Sequence, residues 1–202
     1  MNRTDLDGLG YRGKTVVMTG GASGIGEAAA RLLGELGASV HIADIVEPKV
    51  ECASFTRVDL ADPASVSAAV AQLAKLGPID FLLPVAGVPP HAVGALTCML
   101  INYAGTRQFT EALLPRLRDG GTVCLITSTA ARSWQHHLAE NLEIVALDPL
   151  EVRGFYEAHP DKLRDGYSPS TELLTVWIHQ AAIGLAEERH SRLNGIAPCA
   201  TG

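Results

Sequence analysis

Two groups of residues in this 202-residue chain have the types and spacing to do chemistry. The first is the run Thr19, Gly20, Gly21, Ala22, Ser23, Gly24, Ile25, Gly26. Glycines placed this way let a strand turn sharply into a helix and leave the backbone N–H groups of the helix N-terminus bare for a pyrophosphate. Asp44 follows about 20 residues on, at the end of the next apolar run, where a carboxylate can accept hydrogen bonds from both ribose hydroxyls of an adenosine and repel a 2′-phosphate. The pair points to NAD(H) rather than NADP(H). The second group centres on Tyr167, which opens a helical pattern in "GYSPSTELLTV". A phenol, with a reference pKa of about 10, becomes a useful acid and base near neutral pH when an ammonium one helical turn away stabilises its anion. The residue four positions on is Thr171, which carries no charge.

These residues need a scaffold, and the pattern supplies one. Apolar runs at 14–19 and 38–44 flank a helical pattern at 24–37, a βαβ opening. The rhythm continues with a strand near 52–58, a helix after "ADPAS", a strand "IDFLLPVAG", a long helix through about 96–118 and a strand "GTVCLITS". Short continuous apolar runs separated by helices predict an α/β fold, a doubly wound parallel sheet of about six strands with helices on both faces. Residues 132–166 hold polar helical pieces and no strand, which predicts a helical insertion after strand five, over the sheet's edge. Ser168 is placed to cap the next helix with Pro169 at its first position, and "RLNGIAP" supplies strand six. No repeat or linker divides the chain, so residues 1–202 are expected to form a single Rossmann-type domain.

Bulk properties narrow the function. Sixteen Lys and Arg against 22 Asp and Glu give a net charge of −6 with no basic cluster, which argues against a nucleic-acid partner. No apolar run approaches the ~20 residues of a membrane span, and the opening lacks a signal-peptide core, so a cytoplasmic protein is expected. The four cysteines make no C-x-x-C pair, and His136 and His137 are adjacent rather than one turn apart, so no metal site is expected.

The glycine loop resembles that of the short-chain dehydrogenase/reductase family, T-G-x-x-x-G-x-G, here Thr19, Gly20, Gly24 and Gly26. The resemblance implies that Asp59 and Leu60 in "VDL" meet the adenine. It implies that Ala86 and Gly87 in "VAG" end the family's Asn-Asn-Ala-Gly turn, without its asparagines. Asn102 in "INYAG" would organise a proton-relay water, Ser128 in "LITSTAA" would orient the substrate carbonyl, and Tyr167 would donate the proton. Pro198 and Thr201, in "PCATG", would lie by the nicotinamide. The long gap between Ser128 and Tyr167, with "NYAGT" and "RLNGIAP", is most similar to the bacterial 3α-hydroxysteroid dehydrogenase/carbonyl reductase branch, which implies a steroid-like or other hydrophobic carbonyl or alcohol substrate.

The chain also departs from that pattern. Thr171 stands where the family's lysine binds the nicotinamide ribose and tunes the tyrosine, and Cys199 replaces a glycine after Pro198. Lys162, Arg164 and Arg132 are the nearby cations, and nothing in their spacing directs them to the site. The sequence given ends at "CATG", so the family's next segment has no counterpart in it. The expectation is an open substrate pocket and an exposed strand-six edge that a second copy or a partner chain covers. Two functions are therefore expected: an NAD(H)-dependent oxidoreductase, impaired by the lost cation, or a catalytically degenerate NAD(H)-binding sensor, scaffold or subunit.

Overall fold

The computed structural model describes residues 9–199. Strand β1 (Thr15–Thr19) runs into helix α1 (Gly24–Glu35), and β2 (Ser39–Asp44) and β3 (Ser54–Arg57) follow. Then come α2 (Pro63–Leu73), β4 (Ile79–Pro84), and the short helices α3 (Pro90–Val93) and α4 (Ala95–Met99). A π-helical stretch, Leu100–Gly105, leads into α5 (Thr106–Leu113) and β5 (Leu117–Ile126). After a 3₁₀ turn at Thr129–Ser133 the chain forms α6 (Leu138–Val145), α7 (Val152–Ala158), the long α8 (Tyr167–Arg189) and β6 (Arg192–Ile196).

The strands form one parallel sheet in the order β3-β2-β1-β4-β5-β6, with Val17 opposite both His41 and Leu82. Because the order reverses between β1 and β4, a crevice opens beyond their carboxyl ends. Alternation along β1 explains why helices cover both faces. Val16 and Met18 pack with Ala30 and Leu33 of α1, whereas Val17 faces the larger core of α2, α5 and α8. The predicted doubly wound sheet is therefore the fold.

Four details differ from the sequence reading. The long helix expected over 96–118 is broken, passing through the π-helical stretch and ending as an α-helix at Leu113. Pro115 lies just beyond that end, in a 3₁₀ turn over Leu114–Arg116, and without an N–H it cannot make the next α-helical hydrogen bond. Strand β5 then begins at Leu117 rather than at Gly121, with a register shift against β4 between Ile79 and Phe81. Ser168 does not cap α8: the helix begins at Tyr167 after Gly166 in the left-handed region, φ 74°. Asp165 is the capping side chain, accepting from the Ser168 N–H and hydroxyl, each at 2.8 Å. Finally, the insertion rests on the helical layer rather than over the sheet's edge. Its Ile144, Val145, Val152 and Tyr156 enter the larger core, and Arg107 donates to the carbonyls of Val145 and Leu147 at 2.8 and 3.0 Å. Among the described residues no helix is long and apolar enough to cross a membrane.

Candidate active site

The glycine loop is held by the strand ends it joins. Thr19 Oγ1 accepts from the Ala86 N–H at 3.2 Å, and the Val85 N–H donates to the Thr19 carbonyl, so β1 and β4 are tied where the loop departs. Two glycines are fixed by close approach. A Cβ on Gly20, at φ 74°, would lie 2.5 Å from the Ala86 nitrogen, and one on Gly26 would overlap the Gly20 carbonyl oxygen. Ser23, the residue before α1, makes no side-chain capping bond, so the first-turn amides of α1 remain free to hold an anion.

Asp44, at the carboxyl end of β2, braces this loop as well as facing the crevice. Its Oδ2 accepts from the Ala22 N–H at 3.0 Å and its Oδ1 from the Val46 N–H at 3.2 Å. Asp59 Oδ1 closes a turn on the Ala61 N–H at 2.8 Å. Both carboxylates keep further lone pairs for a ligand.

Asn102 sits in the π-helical stretch, a geometry that recurs at functional sites. Its Oδ1 accepts from the Val88 N–H at 2.8 Å, and Nδ2 donates to the Val88 carbonyl at 2.9 Å and to Cys98 Sγ at 3.2 Å. Asn102 thus pins the loop after β4 and, on the cleft wall, keeps one Oδ1 lone pair for a further partner. Burial, with Asp165 nearby, pushes the Cys98 thiol up to about 11, so it stays protonated and donates to the Val88 carbonyl. The sequence reading missed this Asn102–Cys98–Val88 knot. The four-residue spacing of Cys98 and Asn102 on one helix was its only visible sign.

Ser128 caps the 3₁₀ turn, its Oγ accepting from the Ala130 N–H at 3.1 Å. That bond uses a lone pair and leaves the O–H proton free to donate. Tyr167 is half-buried at the first position of α8, where Gly166 lets the chain pass against the Ala95 carbonyl, a contact any Cβ would block. Thr171 lies one turn on, 5% exposed, with its hydroxyl donating to the Ser168 carbonyl at 2.9 Å.

One cleft of about 920 Å³ connects these groups. Its wall runs from Asp44, Asp59 and Leu60, past Ser23, Gly24, Ile25, Gly26 and Gly20, to Ala86 and Gly87, and on to Asn102, Ser128, Tyr167, Thr171 and Pro198. Thr19 stands behind the wall as a brace, and Thr201 lies outside the described residues. Of the three cations considered from the sequence, Lys162 approaches Glu140 at 3.5 Å and Arg164 grips Glu172 at 2.8 Å. Arg132 alone of the three reaches the cleft wall. His137 donates through Nδ1 to the Glu172 carboxylate at 2.9 Å, so it serves that ion cluster.

A bare-amide helix terminus, two glycines with no room for a Cβ and a carboxylate at the second strand's end fit a dinucleotide. Comparison with known proteins agrees. A family model described as short chain dehydrogenase matches residues 14–139, and the chain belongs to that family. It is 32% identical over 186 residues to the coniferyl-alcohol dehydrogenase of Pseudomonas sp. strain HR199, covering 92% of this chain and 72% of that one. Over 154 residues it is 32% identical to the short-chain dehydrogenase reductase 3c of Arabidopsis thaliana, covering 65% and 60%. Among solved structures, the 3-alpha-hydroxysteroid dehydrogenase from Pseudomonas sp. B-0831 complexed with NADH superposes with a TM-score of 0.76 at 27% identity, covering 93% of this chain and 72% of that one. The chain thus spans between about three fifths and three quarters of the length of these relatives. The fold is that of an oxidoreductase family that works with a nicotinamide cofactor.

Proposed function

We propose that the protein is an NAD(H)-dependent oxidoreductase interconverting a secondary alcohol and a ketone on a hydrophobic substrate. The observation that carries this reading is the single cleft that links Asp44 and the glycine loop to Ser128 and Tyr167. Asp44 would take the adenosine ribose, the free amides of α1 the pyrophosphate, and Ala86, Gly87 and Pro198 would flank the nicotinamide. NAD(H) is favoured over NADP(H) because, among the described residues, no Lys or Arg lines the cleft beside Asp44 to receive a 2′-phosphate.

When bound, the cofactor supplies or accepts the hydride. The chain's own residues handle the proton. The Ser128 O–H donates to the substrate oxygen and orients it, while the Tyr167 hydroxyl exchanges a proton with that same oxygen, giving it up in reduction and taking it in oxidation. Thr171 adds neither charge nor a free donor, since its own proton is spent on the Ser168 carbonyl. Proton transfer therefore runs without a built-in ammonium, and turnover is expected to be slow at neutral pH.

The test pairs NADH titration by fluorescence with turnover of cyclic secondary alcohols and of cyclic ketones, in the native protein and in Tyr167→Phe. Binding, with turnover that falls ~10²-fold or more in the variant, supports the reading. Absence of NADH binding sinks it. We also propose that the free edge of β6, which among the described residues pairs only with β5, is covered by a second copy or a partner chain. A strict monomer by light scattering at high concentration, with no partner bound, would count against that.

A further inference from the structure

The charges along the cleft are unevenly placed. Its carboxylates, Asp44 and Asp59, belong to the β2 and β3 end, and among its lining residues the only Lys or Arg is Arg132, at the Ser128 end. Three strand steps separate β2 from β5, about 14 Å at the usual ~4.8 Å spacing, so the two ends are distinct electrostatic environments. Arg132 is also uncommitted. No ion pair or hydrogen bond of its side chain occurs among the described residues, whereas its neighbours in the insertion, Lys162 and Arg164, are paired with Glu140 and Glu172.

The backbone that carries Arg132 is fixed relative to the reacting centre. Ser128 accepts from the Ala130 N–H through Oγ and from the Ala131 N–H through its carbonyl, and the Thr129 N–H donates to the Pro198 carbonyl at 3.2 Å. At ~2 Å rise per residue in a 3₁₀ turn, Arg132 starts about 8 Å from Ser128, and its long side chain can cover much of that distance. A guanidinium offers paired donors that match a carboxylate.

We propose that Arg132 selects a substrate bearing a carboxylate on the same ring or short chain as the reacting alcohol or ketone. This rests on the oxidoreductase reading above and narrows its hydrophobic substrate to one whose apolar ring or chain also carries a single carboxylate. The acidic group docks on Arg132 while the oxygen to be protonated meets Ser128 and Tyr167. Asp44 and Asp59 repel the same group from the adenosine end, so the charge pattern also sets its direction in the cleft.

The test uses two ligands that differ in one charge, 4-oxocyclohexanecarboxylate and its methyl ester. Each is titrated by calorimetry into the native protein and into Arg132→Gln and Arg132→Lys, with and without NADH, after circular dichroism confirms folding. The expected result is a preference of about tenfold for the acid in the native protein, weakened by salt, lost in Arg132→Gln and partly kept in Arg132→Lys. An equal affinity for acid and ester, or an unchanged preference in Arg132→Gln, overturns the proposal. So does a fall in NADH affinity in Arg132→Gln as large as the fall for the acid, which would assign the guanidinium to the cofactor. Failure of the native protein to bind NADH would instead remove the oxidoreductase reading, and the cofactor-free titrations would still decide whether Arg132 binds the acid.

Discussion

Arg164 sets two guanidinium nitrogens against the carboxylate of Glu172, at 2.8 and 3.5 Å, and Glu172 is 1% exposed. The pair closes the turn that delivers Tyr167, because Arg164 precedes that tyrosine and Glu172 lies on the first turns of α8. Arg164 adopts φ 50°, an unusual backbone angle that the ion pair helps to hold. Removing the guanidinium leaves a buried carboxylate with His137 as its remaining partner. Arg164→Ala is therefore expected to destabilise the protein by about 2–3 kcal/mol, the lower range for breaking a buried pair because Arg164 itself is partly exposed. Urea denaturation would show a lower midpoint, and an unchanged midpoint would refute this.

Gly26 faces the Gly20 carbonyl so closely that no side chain fits. Gly26→Ala must push α1 away from the loop and withdraw the amides meant for the pyrophosphate. NADH affinity should fall by at least tenfold while the circular dichroism spectrum keeps its helical content. Native-like affinity in the variant would mean that the cofactor does not lie on this loop.

Thr171 is on the cleft wall, so a longer side chain there can point into the cleft rather than into packed core. Thr171→Lys is expected to raise turnover by ~10- to 100-fold and to move the pH profile towards neutrality, since an ammonium one turn from Tyr167 favours the phenolate. The readout is kcat against pH in both proteins. Identical profiles would show that the missing charge is not what limits the native protein.

Asp80 links two cations, Lys14 and Arg118, at the foot of the sheet. Burial alone would raise its carboxyl, but the Thr15 amide, Lys14 and Arg118 together hold it below the usual carboxylate range. A folded-state value below the unfolded one gives stability that is present above about pH 4 and lost as pH falls through the folded value. Asp80→Asn should thus cost about 1–2 kcal/mol at pH 7 and progressively less towards pH 3. Urea midpoints at the two pH values check this, and a constant difference would contradict it.

The order of strands and helices, the glycine loop and the strand-end positions of Asp44 and Ser128 were legible in the sequence because each depends on local pattern. Apolar period, turn residues and chain order place a residue at the carboxyl end of a parallel strand, and in a doubly wound sheet those ends share one side. Tyr167 was legible for a similar reason, as the residue that opens a long helical pattern. The interrupted helix around Asn102 was not, because its apolar period continues through the π-helical stretch and gives no sign of the change in hydrogen bonding.

What the tertiary structure decided was which groups meet. Asn102 ties its amide to Val88, a residue fourteen positions away, while standing on the cleft wall. Lys162 and Arg164 turn to acidic partners on the insertion and on α8, leaving Arg132 on the cleft wall. The insertion settled on the helical layer because its apolar residues complete the core there. The sequence determined the elements and the chemistry at their ends, since both follow from neighbours along the chain. Partner choice for long charged and amide side chains waited on packing, because it depends on surfaces that only folding brings together.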